Sequence, residues 1–251
     1  MYLLMCALLY IFQDKFIFFP PRPDADLYKE LKKNEISLVS QGKNIVGWKI
    51  SRDPQATKTV IYFGGNAEEA AYFNFEADEL KIRQAIAFNH PGYGKSEGRP
   101  SQQSLYQNAL DVYDFTVKEY QLEPSDIVVI GRSLGSSAAA YLAANREIAG
   151  LVLITPFDSI ENIAAQRFKY FPIRLILKHS FYTIDSIRKI DKKILLLAAQ
   201  TDEMINSTHF KNLSQASGEN SRTVLYPGVG HNTIQTHAEY YNELNQFIDT
   251  L

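Results

Sequence analysis

The stretch Asp126–Ala140, DIVVIGRSLGSSAAA, decides the fold of this chain. Its first five residues have the β-branched character of a buried strand, and its last five favour a helix. Between them, Gly131–Gly135 fits the pattern G-x-S-x-G, which predicts a sharp strand-to-helix turn. Such a turn strains the backbone of its central residue and brings neighbouring backbones too close for a Cβ at the two glycines. We therefore predict that Ser133 projects from the turn as a nucleophile; a serine N-cap between two turn glycines is the alternative.

Short apolar runs alternate with helical patterns on both sides of this turn. Strands are predicted at residues 36–39, 45–50, 59–63, 85–89, 126–130, 150–154, 193–198 and 223–226, and helices at 67–83, 101–120, 134–145 and 236–251. Runs that are apolar on both faces favour a parallel sheet covered on both sides, and the tight turn at 41–44 predicts an antiparallel first pair. The sequence thus predicts an α/β fold with a mostly parallel central sheet of about eight strands and helices on both faces.

Residues 156–191 interrupt this alternation. They lie between two predicted strands and carry the aromatic residues Phe157, Phe168, Tyr170, Phe171, Phe181 and Tyr182. We interpret them as a small cap inserted over the strand ends, where such sheets bind ligands. One crossover helix with long loops is the alternative. On the first interpretation, residues 21–251 form one domain with this cap.

The amino-terminal residues 1–20 begin with the apolar run MYLLMCALLYIF. The run is shorter than the roughly 20 residues that cross a bilayer, and it lacks the basic start and small cleavage-site residues of a secretory signal. Three interpretations remain: a short membrane-associating helix, the end of a longer anchor, or a helix packed on the domain. The protein is accordingly expected at a membrane surface, through residues 1–19, or in the cytoplasm. We attribute the weak likeness of Cys6 to a lipid-acceptor site to chance.

Composition excludes several classes of protein. The 251 residues are 45% hydrophobic, which excludes a disordered chain, and the single cysteine excludes a disulfide scaffold. With 26 Lys+Arg against 28 Asp+Glu, the net charge of -2 gives no reason to expect a nucleic-acid partner. There is no H-E-x-x-H motif, Cys/His cluster or phosphate loop, so we expect neither a metal nor an organic cofactor. The sequence does not set the oligomeric state.

A serine nucleophile needs a base that removes its proton. His231 follows the last predicted strand in the sequence GVGHN, so its loop can reach the turn that carries Ser133. We predict His231 as the general base. The other four histidines, at positions 90, 179, 209 and 237, are interpreted as surface or packing residues.

The base in turn needs an acid that fixes its tautomer and stabilises its cation. Asp202 follows the strand 193–198, and the order Ser133, Asp202, His231 is that of a known serine triad. Asp158, which follows the preceding strand, is the alternative acid. A further requirement is a pair of backbone N–H donors for the developing oxyanion. We expect Leu134 to provide one, and Asn66 or the adjoining Ala67 the other.

Four motifs in this order resemble those of the α/β-hydrolases: Gly64–Ala67 after a strand, the loop HPGYGKSEGRPS at 90–101, GRSLGS at 131–136 and GVGHN at 228–232. The nearer resemblance, from about Phe12 to the end of the chain, is to the serine-aminopeptidase-like branch, which includes membrane-tethered serine hydrolases and protein depalmitoylases. The resemblance implies a triad of Ser133, Asp202 and His231, with oxyanion donors at Asn66 and Leu134. The chain departs from the branch in having Gly64 where a histidine is usual, Pro91 in the glycine-rich loop, and Ala198-Ala199 before the acid.

These patterns together predict a serine hydrolase of the carboxylesterase or thioesterase type (EC 3.1), which cleaves an ester or thioester through an acyl-enzyme. The aromatic cap and the apolar amino terminus favour a small-molecule or acylated substrate with an apolar acyl group. A serine peptidase or aminopeptidase with the same triad is one alternative, and a catalytically silent binding module with this fold is another.

Overall fold

The computed structural model describes residues 1–251. The strands are β1 (Glu35–Ser40), β2 (Lys43–Ser51), β3 (Thr59–Phe63), β4 (Gln84–Phe88), β5 (Ile127–Arg132), β6 (Gly150–Ile154), β7 (Lys193–Ala199) and β8 (Ser221–Tyr226). The α-helices are α1 (Tyr2–Phe12), α2 (Asp14–Ile17), α3 (Ala25–Glu30), α4 (Phe73–Ala77), α5 (Gln102–Tyr120), α6 (Leu134–Ala143), α7 (Ile160–Arg167), α8 (Ile173–Ile176), α9 (Thr183–Ile187), α10 (Ser207–Ala216) and α11 (Tyr240–Asp249). Single 3-10 turns lie at Lys32–Asn34, Ala70–Tyr72, Pro124–Asp126, Gly218–Asn220 and Ile234–Thr236.

All eight strands form one sheet in the order β1-β2-β4-β3-β5-β6-β7-β8. The pairs β1–β2 and β2–β4 are antiparallel, and every other pair is parallel. The chain runs from β3 outward to β4 and then returns to place β5 on the other side of β3. The loops after β3 and β5 therefore diverge, which opens a crevice at the carboxyl ends of these two strands.

Two apolar cores lie on opposite faces of the sheet. Val128 and Ile130 of β5 belong to one core, together with side chains of α3, α4 and α11. Ile127 and Val129 point to the other face, where α5, α6, α9 and α10 cover them. This alternation explains why the strands are apolar on both faces, and it confirms the predicted mostly parallel sheet with helices on both sides.

The region 67–83 differs from the single helix that its pattern predicts. Only the 3-10 turn at Ala70–Tyr72 and the five-residue α4 are helical. Ala67 has a left-handed backbone with φ of 59°, which interrupts a helix at its start. At the other end, the Lys81 N–H donates to Oδ1 of Asn245 at 2.8 Å instead of continuing a helical ladder. Side-chain contacts from distant parts of the sequence thus replace helical hydrogen bonds here.

The region 156–191 contains α7, α8 and α9 in place of a single crossover helix. Of these, α9 packs on α6 and α10 as part of the sheet's helical cover, whereas α7 and α8 pack on each other and α8 contacts α1. We call residues 160–177 the α7–α8 segment. It lies at the carboxyl end of β6, on the side of the sheet where the crevice opens.

The amino-terminal helix α1 lies against the α7–α8 segment with most of its side chains exposed. The Tyr2 hydroxyl donates to the carbonyl of Tyr170 at 2.8 Å. Gln13 joins the two segments more firmly, because its Nε2 donates to the Ile176 carbonyl at 2.9 Å and its Oε1 accepts from the Lys178 N–H at 2.6 Å. The structure contains no helix with the length and apolarity needed to cross a bilayer.

Candidate active site

The turn between β5 and α6 has the strained geometry that its sequence predicts. Ser133 has φ of 48° and ψ of -115°, a conformation that L-residues rarely adopt. A Cβ at Gly131 would collide with Gly135 and Ala139, and a Cβ at Gly135 would collide with the Phe63 carbonyl oxygen. Ser133 occupies the N-cap position of α6, but its side chain makes no capping hydrogen bond to the helix. Its hydroxyl is free to engage a partner across the crevice.

That partner is His231, which lies 98 residues further along the chain. The distance from His231 Nε2 to Ser133 Oγ is 2.9 Å, and that from His231 Nδ1 to Asp202 Oδ2 is 2.8 Å. A carboxylate accepts only, so Nδ1 carries the proton and Nε2 is left to accept one from the serine. The structure therefore brings the three predicted residues into one hydrogen-bonded chain.

Asp202 is held in place by the loop that follows β7. Its second oxygen, Oδ1, accepts from the N–H groups of Met204 at 2.9 Å and Ile205 at 2.7 Å. The His231 N–H in turn donates to the Glu203 carboxylate at 3.1 Å. His231 is buried and Asp202 nearly so, which restricts both side chains to the observed arrangement.

The alternative acid, Asp158, belongs to a different buried pair. It accepts from His209 Nδ1 at 2.7 Å and from the Asn212 amide at 2.6 Å, and it makes no hydrogen bond to His231. Burial acts to raise the pKa of Asp158, but the hydrogen bonds from His209 and Asn212 hold it below its usual range overall. Asp158 thus holds α10 in place through His209 and Asn212. The geometry favours Asp202 as the partner of His231.

The two predicted oxyanion donors lie on either side of the nucleophile. Leu134 is the first residue of α6, so its N–H has no partner within the helix. The Asn66 N–H makes no hydrogen bond within the chain. A Cβ on the preceding Gly65 would lie 3.6 Å from the Ser133 Cβ, which shows how closely this loop approaches the serine. Both donors line the same cavity as Ser133.

Two residues that fix the loop after β3 have no clear signal in the sequence. The Glu68 carboxylate accepts from the Gly65 N–H at 2.7 Å and from the Tyr62 hydroxyl at 2.6 Å. His90 bonds the Gly64 carbonyl at 2.9 Å through Nε2, and burial lowers its pKa, so the ring is neutral at physiological pH. His90 is buried, in line with its interpretation as a packing residue, but its hydrogen bond to the loop was not indicated by the sequence. Glu68 falls inside the overlong predicted helix, because its role depends on a backbone path that the pattern does not specify.

A further charged pair lies next to Ser133. Arg132, which precedes Ser133, lies 3.4 Å from Glu76 of α4, and both side chains are largely buried. Burial raises the pKa of Glu76 to about 7, although the nearby guanidinium opposes the rise. This pair ties the turn between β5 and α6 to α4, which follows the loop after β3.

The serine opens into an apolar cavity of about 710 Å³. Three segments form its walls: the amino-terminal residues 9–19, the α7–α8 segment and the loop 203–205. Fifteen of its twenty lining residues are hydrophobic, and they include Leu9, Phe16, Phe157, Ile160, Ile163, Ala164, Phe168 and Ile176. Arg167 and Glu203 are the only charged residues in the lining. No group of three or more His, Cys, Asp or Glu side chains is arranged to hold a metal ion.

The fold and this strand-end crevice define an α/β hydrolase. A family profile described as the alpha/beta hydrolase fold matches residues 58–176. The chain has the α/β-hydrolase fold. It is similar to the human alpha/beta hydrolase domain-containing protein 17B, with 26% identity over 85% of this chain and 74% of that protein. It is also similar to the Arabidopsis thaliana protein WAV2 of the same kind, with 27% identity over 97% and 89% of the two chains.

An uncharacterised Mycobacterium tuberculosis protein is 28% identical over 88% of this chain and 80% of its own length. Among solved structures, the Pyrococcus furiosus esterase Pf2001 matches with a TM-score of 0.72 and 20% identity, over 92% of this chain and 99% of the esterase. The Rhodococcus esterase RhEst1 matches with a TM-score of 0.69 and 17% identity, over 87% and 99%. These two structures share the fold of this chain.

Proposed function

We propose that this protein is a serine hydrolase that cleaves a carboxylic ester or thioester with an apolar acyl chain. One observation carries the proposal: the hydrogen-bonded chain of Asp202, His231 and Ser133 ends at an apolar cavity of about 710 Å³. Ligand cavities typically measure about 300–1,000 Å³ and are lined mainly by apolar side chains. The volume and the lining therefore suit an acyl chain next to the nucleophile.

In the first half of the reaction, Ser133 Oγ attacks the acyl carbonyl carbon while His231 Nε2 accepts the hydroxyl proton. The carbonyl electron pair moves to oxygen, and the N–H groups of Asn66 and Leu134 stabilise the negative charge. Collapse of this tetrahedral intermediate breaks the bond to the alcohol or thiol, which leaves with the proton from His231. The acyl group remains on Ser133.

In the second half, His231 removes a proton from water, and the hydroxide attacks the acyl-serine carbonyl. The same two N–H groups hold the second oxyanion. Its collapse releases the carboxylic acid and returns the proton to Ser133. Asp202 keeps its negative charge throughout and stabilises the imidazolium that forms twice in the cycle.

A fluorophosphonate probe tests whether the serine is reactive, because the probe phosphonylates an activated serine. We expect labelling of the wild type and none of Ser133→Ala. Ser125→Ala is the matched control, since Ser125 is exposed at the opposite end of β5. A well-folded wild type that resists the probe would favour the binding module over the enzyme.

The substrate class is tested with a panel of p-nitrophenyl esters, acyl thioesters and aminoacyl amides. In the ester and thioester series, the acyl group runs from two to sixteen carbons. We expect hydrolysis of esters or thioesters, with a preference for longer acyl chains over acetyl. Hydrolysis of the amides alone would identify the protein as a peptidase with the same triad.

We further propose that α1 lies on a membrane surface. The helix leaves apolar side chains in water, among them Leu3 with 80% and Leu4 with 63% of its surface exposed. Leu175 of the adjacent α7–α8 segment is 85% exposed and extends this apolar area. Exposed apolar side chains on a short helix are typical of a helix that lies in a bilayer interface. It would bring the cavity entrance close to acyl chains.

A further inference from the structure

The side chain of Asn66 forms two hydrogen bonds with the segment that follows α1. Its Nδ2 donates to the Ile17 carbonyl at 2.7 Å, and its Oδ1 accepts from the Phe19 N–H at 2.9 Å. These two bonds use the donor and the acceptor of one carboxamide on the backbone of a single short stretch. We call residues 16–19 the strap. Phe16, Ile17 and Phe19 of the strap line the cavity.

The remaining strap residue, Phe18, is held by packing. It is 5% exposed and belongs to a small apolar cluster with Leu134, Phe157 and Phe181. Leu134 is one of the two proposed oxyanion donors, and Asn66 is the other. The strap therefore bonds Asn66 directly and shares a small apolar cluster with Leu134.

A buried tyrosine orients the Asn66 amide. The Tyr93 hydroxyl donates to Asn66 Oδ1 at 2.7 Å, and burial raises the pKa of Tyr93 so that it remains a neutral donor. The Tyr93 ring packs edge-to-face on His90, which bonds Gly64 in the loop before Asn66. The strap is thus linked through one amide to the groups that fix the oxyanion loop.

We propose that the Asn66 carboxamide is a positioning group that couples the strap to the oxyanion hole. This proposal rests on the proposed function. The side chain keeps the strap in place as a wall of the acyl cavity, and the strap in return keeps the Asn66 backbone N–H directed at the reacting carbonyl. Occupation of the cavity by an acyl chain and stabilisation of the oxyanion are then linked through one residue.

Asn66→Ala tests the coupling through kinetics, because it removes the amide and leaves the backbone N–H. We expect kcat to fall by about tenfold to a hundredfold, as for other small displacements of catalytic groups. We also expect the preference for decanoyl over acetyl p-nitrophenyl ester, measured as kcat/KM, to fall at least several-fold, because the strap wall is loosened. Asn245→Ala is the matched control, because the Asn245 carboxamide also makes one donor and one acceptor hydrogen bond to a single stretch of backbone. Its partners, Lys81 and Glu79, do not line the cavity.

Hydrogen exchange measured by mass spectrometry supplies a readout that does not require activity. In Asn66→Ala the peptide that covers residues 13–21 should exchange faster than in the wild type, and in Asn245→Ala it should not. Tyr93→Phe removes one of the three hydrogen bonds of the Asn66 carboxamide. It should change the kinetics and the exchange of residues 13–21 in the same direction as Asn66→Ala, but by less. This variant replaces Asn66→Ala in the test if Asn66→Ala does not fold.

Each outcome bears on a different part of the proposal. If exchange in the strap is unchanged in Asn66→Ala, the carboxamide does not hold the strap. If exchange is faster but kcat and the chain-length preference are unchanged, the strap is not coupled to the oxyanion hole. A wild type that hydrolyses none of the panel refutes the proposed function, while the exchange data still show whether the carboxamide holds the strap.

Discussion

At the scale of single residues, the aspartates at the ends of β6 and β7 have different partners, and this difference predicts different losses. Asp202→Asn leaves His231 without an acceptor for its Nδ1 proton, so we expect kcat to fall by roughly a thousandfold or more with little change in the free energy of unfolding. Asp158→Asn breaks the buried pair with His209. We expect the loss of the carboxylate oxygen that accepts from the Asn162 and Asn212 amides to cost about 1–3 kcal/mol of stability and to change kcat little at temperatures where the variant is folded.

Steady-state kinetics and urea denaturation of both variants check this prediction. The wild type and Asp185→Asn serve as references, since Asp185 is an exposed aspartate whose only ion pair is with Arg188 on the surface. A larger loss of kcat in folded Asp158→Asn than in Asp202→Asn would show that the acid is assigned wrongly.

Much of the candidate site could be predicted at this scale because its signals are local. The glycines on either side of Ser133 are needed wherever a strand and a helix meet so tightly, and five adjacent residues carry that information. His231 and Asp202 each follow a strand, and parallel strands bring their carboxyl ends to one edge. The hydrogen bond from Asn66 to Ile17 spans 49 residues and joins the loop after β3 to the end of α2, and no periodic pattern encodes the path of a loop.

At the scale of elements, α7 presents one face to the cavity. Ala164 lines it, and the neighbouring Ala165 does not. Ala164→Phe should fill part of the cavity and shift the preferred acyl chain to a shorter length, with an increase of roughly tenfold or more in KM for the longest good substrate. Ala165→Phe adds the same volume to the same helix and is the control. Equal chain-length profiles for the two variants would contradict the assignment of this cavity to the acyl chain.

The elements themselves were predictable to different degrees. The strands were predictable because a short run of apolar residues on both faces is typical of a strand buried in a parallel sheet. The start predicted for the helix 101–120 was close, because Ser101 caps α5 by accepting from the Ser104 N–H. The helix predicted at 67–83 was too long, because Ala67 and Lys81 take conformations set by tertiary contacts. The division of 156–191 into α7, α8 and α9 depends on how those short helices pack, which their aromatic composition does not specify.

At the scale of the whole molecule, Glu76 gives the stability a predictable dependence on pH. Its pKa is raised to about 7 in the folded protein, so the folded chain binds more protons than the unfolded chain between the ordinary carboxyl pKa and about 7. The free energy of unfolding therefore falls as the pH rises through this window. Glu76→Gln cannot ionise. Its free energy of unfolding relative to the wild type should therefore increase by roughly 2–3 kcal/mol as the pH rises from about 5 to about 8.

Urea denaturation at several pH values measures this difference. Any packing cost of the amide is the same at each pH and cancels from the trend. Glu79→Gln, at an exposed position three residues further on, is the control and should show no such trend. A flat difference for Glu76→Gln would mean that Glu76 ionises in the folded protein as readily as in the unfolded chain.

The exposed apolar face of α1 predicts binding to lipid. We expect the wild type to sediment with phosphatidylcholine vesicles and the double variant Leu3→Asp/Leu4→Asp to remain in the supernatant, because two carboxylates oppose insertion of the helix. Val39→Asp/Leu225→Asp places the same charges at exposed apolar positions on the edge strands and should sediment like the wild type. A wild type that stays in the supernatant contradicts the proposed membrane surface.

The contribution of residues 9–19 to the cavity wall has a consequence for how substrate range can change. The groups that would cleave the ester or thioester bond all come from positions 66 to 231. Part of the cavity wall that would select the acyl chain comes from residues 9–19. Exchange of residues 1–15 for those of a relative could therefore alter selectivity and leave in place both the bond-breaking groups and the strap that bonds Asn66. Chimeras that carry the leading segment of a relative are a direct route to altered specificity.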